Sequence, residues 1–216
     1  KYIATGKVEG RLLNQFSMDE YDGYFRITTT DNVSGNNLFV LDKELNQIGS
    51  VENLAKGERI YSTRFMGDKA YVVTYKTVDP LFVIDLSNPK IPTVLGELKI
   101  PGYSSYLHPL GENYLIGFGE DSVEKSYLNW EGKQQVTAYS TGLKMAIFDV
   151  SDYSNPKELH SIKIGGRGSY SELLYNHKAL LFNEEKGIIA FPASITSEAG
   201  EYDNGVPMYG DTIFNG

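Results

Sequence analysis

Cysteine is absent from this 216-residue sequence. That excludes disulfides, thiolate zinc sites and a cysteine nucleophile, and leaves the redox compartment open. No run of about 18 apolar residues occurs, so no transmembrane helix is expected, and no secretory leader is visible. Positive charge is in deficit: 20 Lys and Arg stand against 28 Asp and Glu, a net charge of −8. Such a surface repels nucleic acid and anionic lipid, so neither is expected as a partner. Histidine is limited to His108, His160 and His177, and tryptophan to Trp130. Apolar residues at i, i+3, i+4, i+7 spacing are missing, which argues against helical repeats. The chain starts at Lys1-Tyr2 without an initiator Met and stops at Asn215-Gly216. It is therefore expected to be a piece of a longer protein whose targeting information lies elsewhere.

What the chain does have is tyrosine, glycine and repetition. Sixteen Tyr and 22 Gly accompany short apolar runs, a composition that favours strands and turns. An aromatic-Ser dyad recurs at Phe16-Ser17, Tyr61-Ser62, Tyr103-Ser104 and Tyr170-Ser171. A strand-ending Asp recurs at Asp42, Asp85 and Asp149. Both markers give a unit of about 43 residues, with about 22 extra in the third, the range of propeller blades. Each unit reads as four strands. They fall at 16–19, 24–30, 37–42 and 47–51 in the first, and at 60–65, 70–75, 81–85 and 94–100 in the second. In the third they fall at 104–108, 113–119, 143–149 and 158–164. Gly67-Asp68 marks a hairpin, and residues 77–80 a turn. The run Tyr71-Val72-Val73 is apolar on both faces, as in a sheet packed on both sides. Glycines at the unit boundaries (Gly10, Gly57, Gly102, Gly165) suit a crossover with unusual φ. The expectation is an all-β propeller of four-stranded antiparallel blades, about three and a half of them. The units are 11–56, 57–101, 102–165 and 166–216. Residues 1–9 would serve as the outer strand of a preceding blade, and 170–175, 179–182 and 188–191 would start the last unit.

Two polar stretches break the repeat, 120–139 and 194–209. Both follow a second strand, so both are expected as loops on the same rim. Aromatic loops suit recognition, which makes Tyr127, Trp130, Tyr139, Tyr202 and Asp203 the candidate binding residues. Other chemistry is weaker. Asp149 and Asp152 sit in a loop whose oxygens could hold Ca²⁺, but Asp and Asn before Pro more simply build turns. His108 and His177 occupy comparable places in adjacent units, where a pair could bind a transition metal or merely decorate turns. No Gly-x-Ser-x-Gly elbow occurs, and Gly165-Gly166-Arg167-Gly168 lacks the Lys of a phosphate loop. Paired acids such as Glu20/Asp22 and Glu120/Asp121, with Asp31, could serve glycoside chemistry.

Four stretches carry a family resemblance. They are Leu13-Asn14-Gln15-Phe16-Ser17-Met18-Asp19-Glu20-Tyr21, Ile60-Tyr61-Ser62-Thr63-Arg64-Phe65, Val78-Asp79-Pro80-Leu81-Phe82-Val83-Ile84-Asp85 and Gly96-Glu97-Leu98-Lys99-Ile100. With them the chain resembles the bacterial and archaeal secreted β-propeller domain distantly related to WD repeats. The resemblance implies a longer propeller, a secreted or envelope-attached protein, and no assigned catalysis. The function expected is a non-enzymatic scaffold that binds protein or glycan at the cell envelope and needs no cofactor. The runner-up is a carbohydrate-active enzyme with acids near the propeller axis.

Overall fold

Strands form where β-branched and aromatic residues lie between Gly and Asn turns, and the first twelve close four by four into antiparallel sheets. The computed structural model describes residues 2–33, 35–75, 79–202 and 204–216. The first sheet contains β1 (Met18–Tyr21), β2 (Tyr24–Asp31), β3 (Gly35–Leu41) and β4 (Gln47–Leu54). The second contains β5 (Arg59–Met66), β6 (Lys69–Tyr75), β7 (Asp79–Asp85) and β8 (Thr93–Ile100). The third contains β9 (Tyr103–Leu110), β10 (Tyr114–Leu128), β11 (Gln134–Asp149) and β12 (Lys157–Ile164). Spatial order follows chain order in all three, which is the meander of a propeller blade. Two hairpins complete the described structure: β13 (Leu181–Asn183) with β14 (Ile188–Ala190), and β15 (Ser194–Thr196) with β16 (Thr212–Asn215). The all-β fold with four-stranded antiparallel blades is as the repeat predicts, and the last unit is only partly formed into sheet.

The core lies between blades, because the central strands bury both faces. Leu38 and Val40 of β3 pack on Ala70, Val72 and Ile84 across the first interface. Tyr71 and Val73, the alternate residues of β6, point the other way and pack with Leu107, Leu115 and Phe148 of the third blade. One strand thus feeds two cores with its two sets of side chains. The repeated serine bonds blade to blade: Ser62 Oγ donates to the Ser104 carbonyl at 2.7 Å. Thr28 and Thr63 hydroxyls meet at 2.9 Å across the preceding junction. At the crossovers Gly57 and Gly102 have φ of 91° and 83°, and a Cβ on Gly102 would strike the Glu120 carbonyl.

Several expectations are corrected. Residues 120–139 are not a loop. β10 runs on to Leu128 and β11 starts at Gln134, so the two strands leave the blade together as a β-ribbon arm. Residues 16–19 and 170–175 are not simple inner strands. Asn14 accepts from the Phe16 N–H and caps a 3-10 turn, Gln15–Ser17, before β1 begins. Ser171 caps Glu172–Leu174 and Asn176 caps His177–Ala179 in the same way. Side-chain caps offer the backbone partners that the ladder would otherwise supply. Residues 2–8 lie in no strand, and Val8 packs on Ile27, Phe39 and Leu41 instead. The turn expected at residues 77–80 lies largely outside the described residues.

Candidate functional site

Antiparallel pairing sets Arg59 opposite Tyr75 and Tyr103 opposite Glu120. The starts of β5 and β9 and the far ends of β6 and of the β10 ladder therefore share one end of the blades. Three tyrosines gather there. Tyr61 and Tyr103, from the repeated dyads, have ring centroids 4.7 Å apart, and Tyr75 lies 5.3 and 4.9 Å from them. Arg59 lies over the Tyr61 ring at 5.0 Å and donates to its hydroxyl at 2.8 Å. That hydrogen bond holds the Arg59 guanidinium above its ordinary pKa. Burial pushes the Tyr103 phenol up, and the neighbouring Glu120 adds to the shift, so the ring stays protonated. Two clefts flank this cluster. One, of about 490 Å³, lies toward the first blade between Asp31, Lys56, Glu58 and Tyr75. The other, of about 480 Å³, lies toward Asn14, Tyr103, Ser105 and Tyr175. Arg59 and Tyr61 line both.

The arm rises from the same end. One of its faces carries Lys125 and Tyr139, paired across strands through Val123 and Thr137. This face meets the other polar stretch, 194–209, at Glu201, Pro207 and Tyr209. Lys125 pairs with Glu201 at 3.7 Å. Arg167 sits over the rings of Tyr139 and Tyr209 at 5.3 and 4.3 Å and donates to the Pro207 carbonyl at 2.6 Å. Toward the tip these contacts end. Trp130 is 92% exposed and Tyr127 46%, with Leu128 exposed beside them. Tyr127 donates to Gln135 Oε1 at 3.3 Å. The five candidate binding residues thus separate. Tyr127 and Trp130 lie at the tip, Tyr139 in the packed root, and exposed Tyr202 in a turn closed by its N–H on the Val206 carbonyl at 2.9 Å. Asp203 lies outside the described residues.

The other candidates are engaged by neighbours within the fold. Asp149 Oδ1 accepts from the Ser151 hydroxyl and N–H at 2.6 and 2.9 Å, which hold its carboxyl below the usual range. Asp152 Oδ1 accepts from the Ser154 N–H at 3.1 Å. Among the described residues no three His, Cys, Asp or Glu converge as a metal site. His108 and His177 both meet Tyr106. His108 Nδ1 is 3.0 Å from the Tyr106 hydroxyl, and the His177 ring stacks at 6.4 Å. Gln15 Nε2 lies 2.8 Å from His177 Nδ1 and Phe16 packs edge-on at 4.8 Å, so the pair tie the first unit to the fourth. Arg64, sandwiched over Phe16 at 4.1 Å and Tyr106 at 5.4 Å, donates to the Leu107 carbonyl at 2.9 Å.

Burial, and secondarily the Arg64 charge, pull the His108 pKa below 6.5. The folded protein thus resists a proton that the unfolded chain accepts. Stability is expected to fall as pH drops through about 6.5, and the slope to flatten once pH passes below the folded pKa. Urea midpoints at pH 7.5 and 5.5 should differ more for the native protein than for His108→Gln; equal differences would sink the assignment. Asp42, Asp85, Asp149 and Glu198 are all held low and so titrate below that window. None of these four lines either cleft.

The tyrosine cleft escaped the sequence reading. In the repeat Tyr61 and Tyr103 are only unit markers, and Tyr75 only the end of the expected strand 70–75. The signal was present nonetheless, because equivalent positions in successive blades must lie at the same end of the fold.

The family model described as "Beta propeller domain" matches residues 1–215. An uncharacterized protein of Methanocaldococcus jannaschii is 48% identical over 198 residues, which cover 88% of this chain and 29% of that protein. An uncharacterized protein of Archaeoglobus fulgidus is 41% identical over 201 residues, covering 93% of this chain and 29% of that protein. The chain thus spans under a third of the length of either relative.

Proposed function

The chain belongs to the beta propeller domain family, and from that premise we propose that it is a non-enzymatic binding scaffold, secreted or attached at the cell envelope, for a protein or glycan ligand. The observation that carries this reading is the arm. A ribbon of two long strands is built out from the third blade, braced at its root by Arg167 between Tyr139 and Tyr209. It ends in an exposed Trp, Leu and Tyr. An isolated two-stranded ribbon is marginal in water, so its root contacts are what hold the tip in one place. Exposed aromatic residues on a fixed support are the usual anchors of a binding surface. Catalysis gains no comparable support, since the carboxylates with shifted pKa lie outside both clefts and are held low.

Trp130, the sole Trp, reports on this directly. Glycan-array and envelope-protein pull-down binding should drop roughly tenfold or more when residues 124–136 are replaced by a tight turn. Thermal unfolding should be nearly unchanged, because the deleted tip contributes little to the core. Bound ligand should shift the Trp130 emission to the blue. Full binding by the trimmed protein would remove the arm from the recognition surface.

A further inference from the structure

We propose that the two clefts around Arg59 and Tyr61 form one groove for a neutral glycan chain, with Tyr61, Tyr75 and Tyr103 as its stacking floor. This rests on the binding-scaffold reading and assigns a ligand class to a second part of the same face.

The first support is that the three rings, although packed on one another, each present part of their surface to a cleft. Tyr71, on the same strand as Tyr75, is 1% exposed and belongs to the core between blades. Tyr61, Tyr75 and Tyr103 are only half-buried, at the end of the blades where the clefts open: Tyr61 lines both clefts, Tyr75 the first and Tyr103 the second. The second support is continuity. Arg59 and Tyr61 wall both clefts, so a ligand too long for one runs past them into the other.

The lining selects the chemistry. Lys56 and Arg59 are matched by Asp31 and Glu58, so the groove has no net field to draw an anion or a cation. What remains is aromatic surface and hydroxyl or amide groups: the tyrosines, Thr30, Ser105 and Asn14. A neutral sugar offers the complement, a flat C–H face for the electron-rich ring and equatorial hydroxyls for the rim. Those hydroxyls must find partners when they leave water. Arg59 carries five N–H donors, and its bond to the Tyr61 hydroxyl holds the fork in place before any ligand arrives. A proline-rich peptide would need parallel aromatic ridges with slots between them. Here the rings are tilted 44–77° to one another in one closed cluster.

Calorimetric titration of the protein with cello-, chito-, manno- and maltohexaose, and with a neutral proline-rich peptide, tests the groove. At least one hexaose should bind with a Kd of about a millimolar or tighter, and Trp130 emission should stay unchanged. Tyr61→Ala and Arg59→Gln should each weaken that binding roughly tenfold, while Trp130→Ala should leave it intact. Arg59 is exposed, so its variant keeps the test valid should Tyr61→Ala unfold. Failure of all four sugars to bind, preference for the peptide, or binding indifferent to both groove variants would overturn the proposal. Sugar binding lost with Trp130→Ala would overturn it too, by moving the site to the arm and leaving the scaffold reading in place.

Discussion

Phe148→Ala is expected to destabilise the protein by about 3–5 kcal/mol, the cost of truncating a fully buried aromatic residue. Phe148 is 0% exposed, on β11, in the core shared by the second and third blades with Tyr71, Leu107 and Leu115. Its ring lies so close over Gly117 that any side chain there would collide with it. The ring therefore fills a space that the backbone was shaped to leave, and neighbouring strands have little freedom to collapse into it. For a chain of this length the melting temperature should fall by roughly 6–20 °C. Phe148→Leu, which keeps most of the volume, should lie between the two. Urea unfolding monitored by far-ultraviolet circular dichroism measures the loss. A change under about 1 kcal/mol, the typical effect of an average substitution, would mean that the two blades do not share this core.

The second large effect is expected at Asp19. Its carboxylate accepts from Arg26 Nε at 2.6 Å and pairs with Nη2 at 2.5 Å. Arg26 is 2% exposed, its Nη1 donates to the Gly67 carbonyl of the next blade at 2.5 Å, and it lies between the rings of Tyr21 and Phe65. Asp19→Ala leaves that guanidinium buried without its counter-charge. Breaking a buried pair costs about 3–5 kcal/mol, and the partial exposure of the Asp19 side chain puts this one near the low end, at about 3 kcal/mol. Asp19→Ala with Arg26→Met should recover most of the loss, because an apolar side chain of similar length suits the aromatic slot. A double variant as unstable as the single one would show that Asp19 acts through something other than Arg26.

Arg26 also shows where sequence reading stops. Arg26 and Arg64 stand on adjacent blades in non-equivalent strands, and by spacing they form no repeated ring. The structure agrees that they are unlike. Arg26 bolts β1 to β2 and to the second blade, whereas Arg64 packs between Phe16 and Tyr106. Asp19 lies opposite Arg26 in one hairpin, but the contacts that cross blades, Arg26 to Gly67 and Phe65 and Arg64 to Phe16 and Tyr106, join different units and leave no mark in spacing.

The strands of the arm are hidden in the sequence for a related reason. Strand prediction relies on one face being buried, which imposes alternation. Beyond Asp121 the ribbon leaves the blade, and most of its residues on both faces stay in contact with water. Its sequence is therefore as polar as a loop, and hydrogen bonding between β10 and β11 leaves no trace in composition. The 3-10 turns at Gln15–Ser17 and Glu172–Leu174 were legible in principle, because Asn14 and Ser171 are capping residues. The aromatic-Ser dyads that follow or include them, equivalent to Tyr61-Ser62 and Tyr103-Ser104 in the regular blades, point to strand instead.

The amino-acid sequence alone determined the all-β class, the 43-residue unit and the four strands of the regular blades. Those follow from burial of nearest neighbours in a repeat, which writes itself into local periodicity and turn residues. It also placed the two irregular stretches. Tertiary structure alone decided that one of them is a braced β-ribbon. It likewise decided that Tyr61, Tyr75 and Tyr103 converge beside Arg59, and that Arg26 reaches from the first blade to Gly67 and Phe65 of the second. These depend on how blades twist against one another, and residues far apart in the chain carry no local mark of the partners that packing will bring to them.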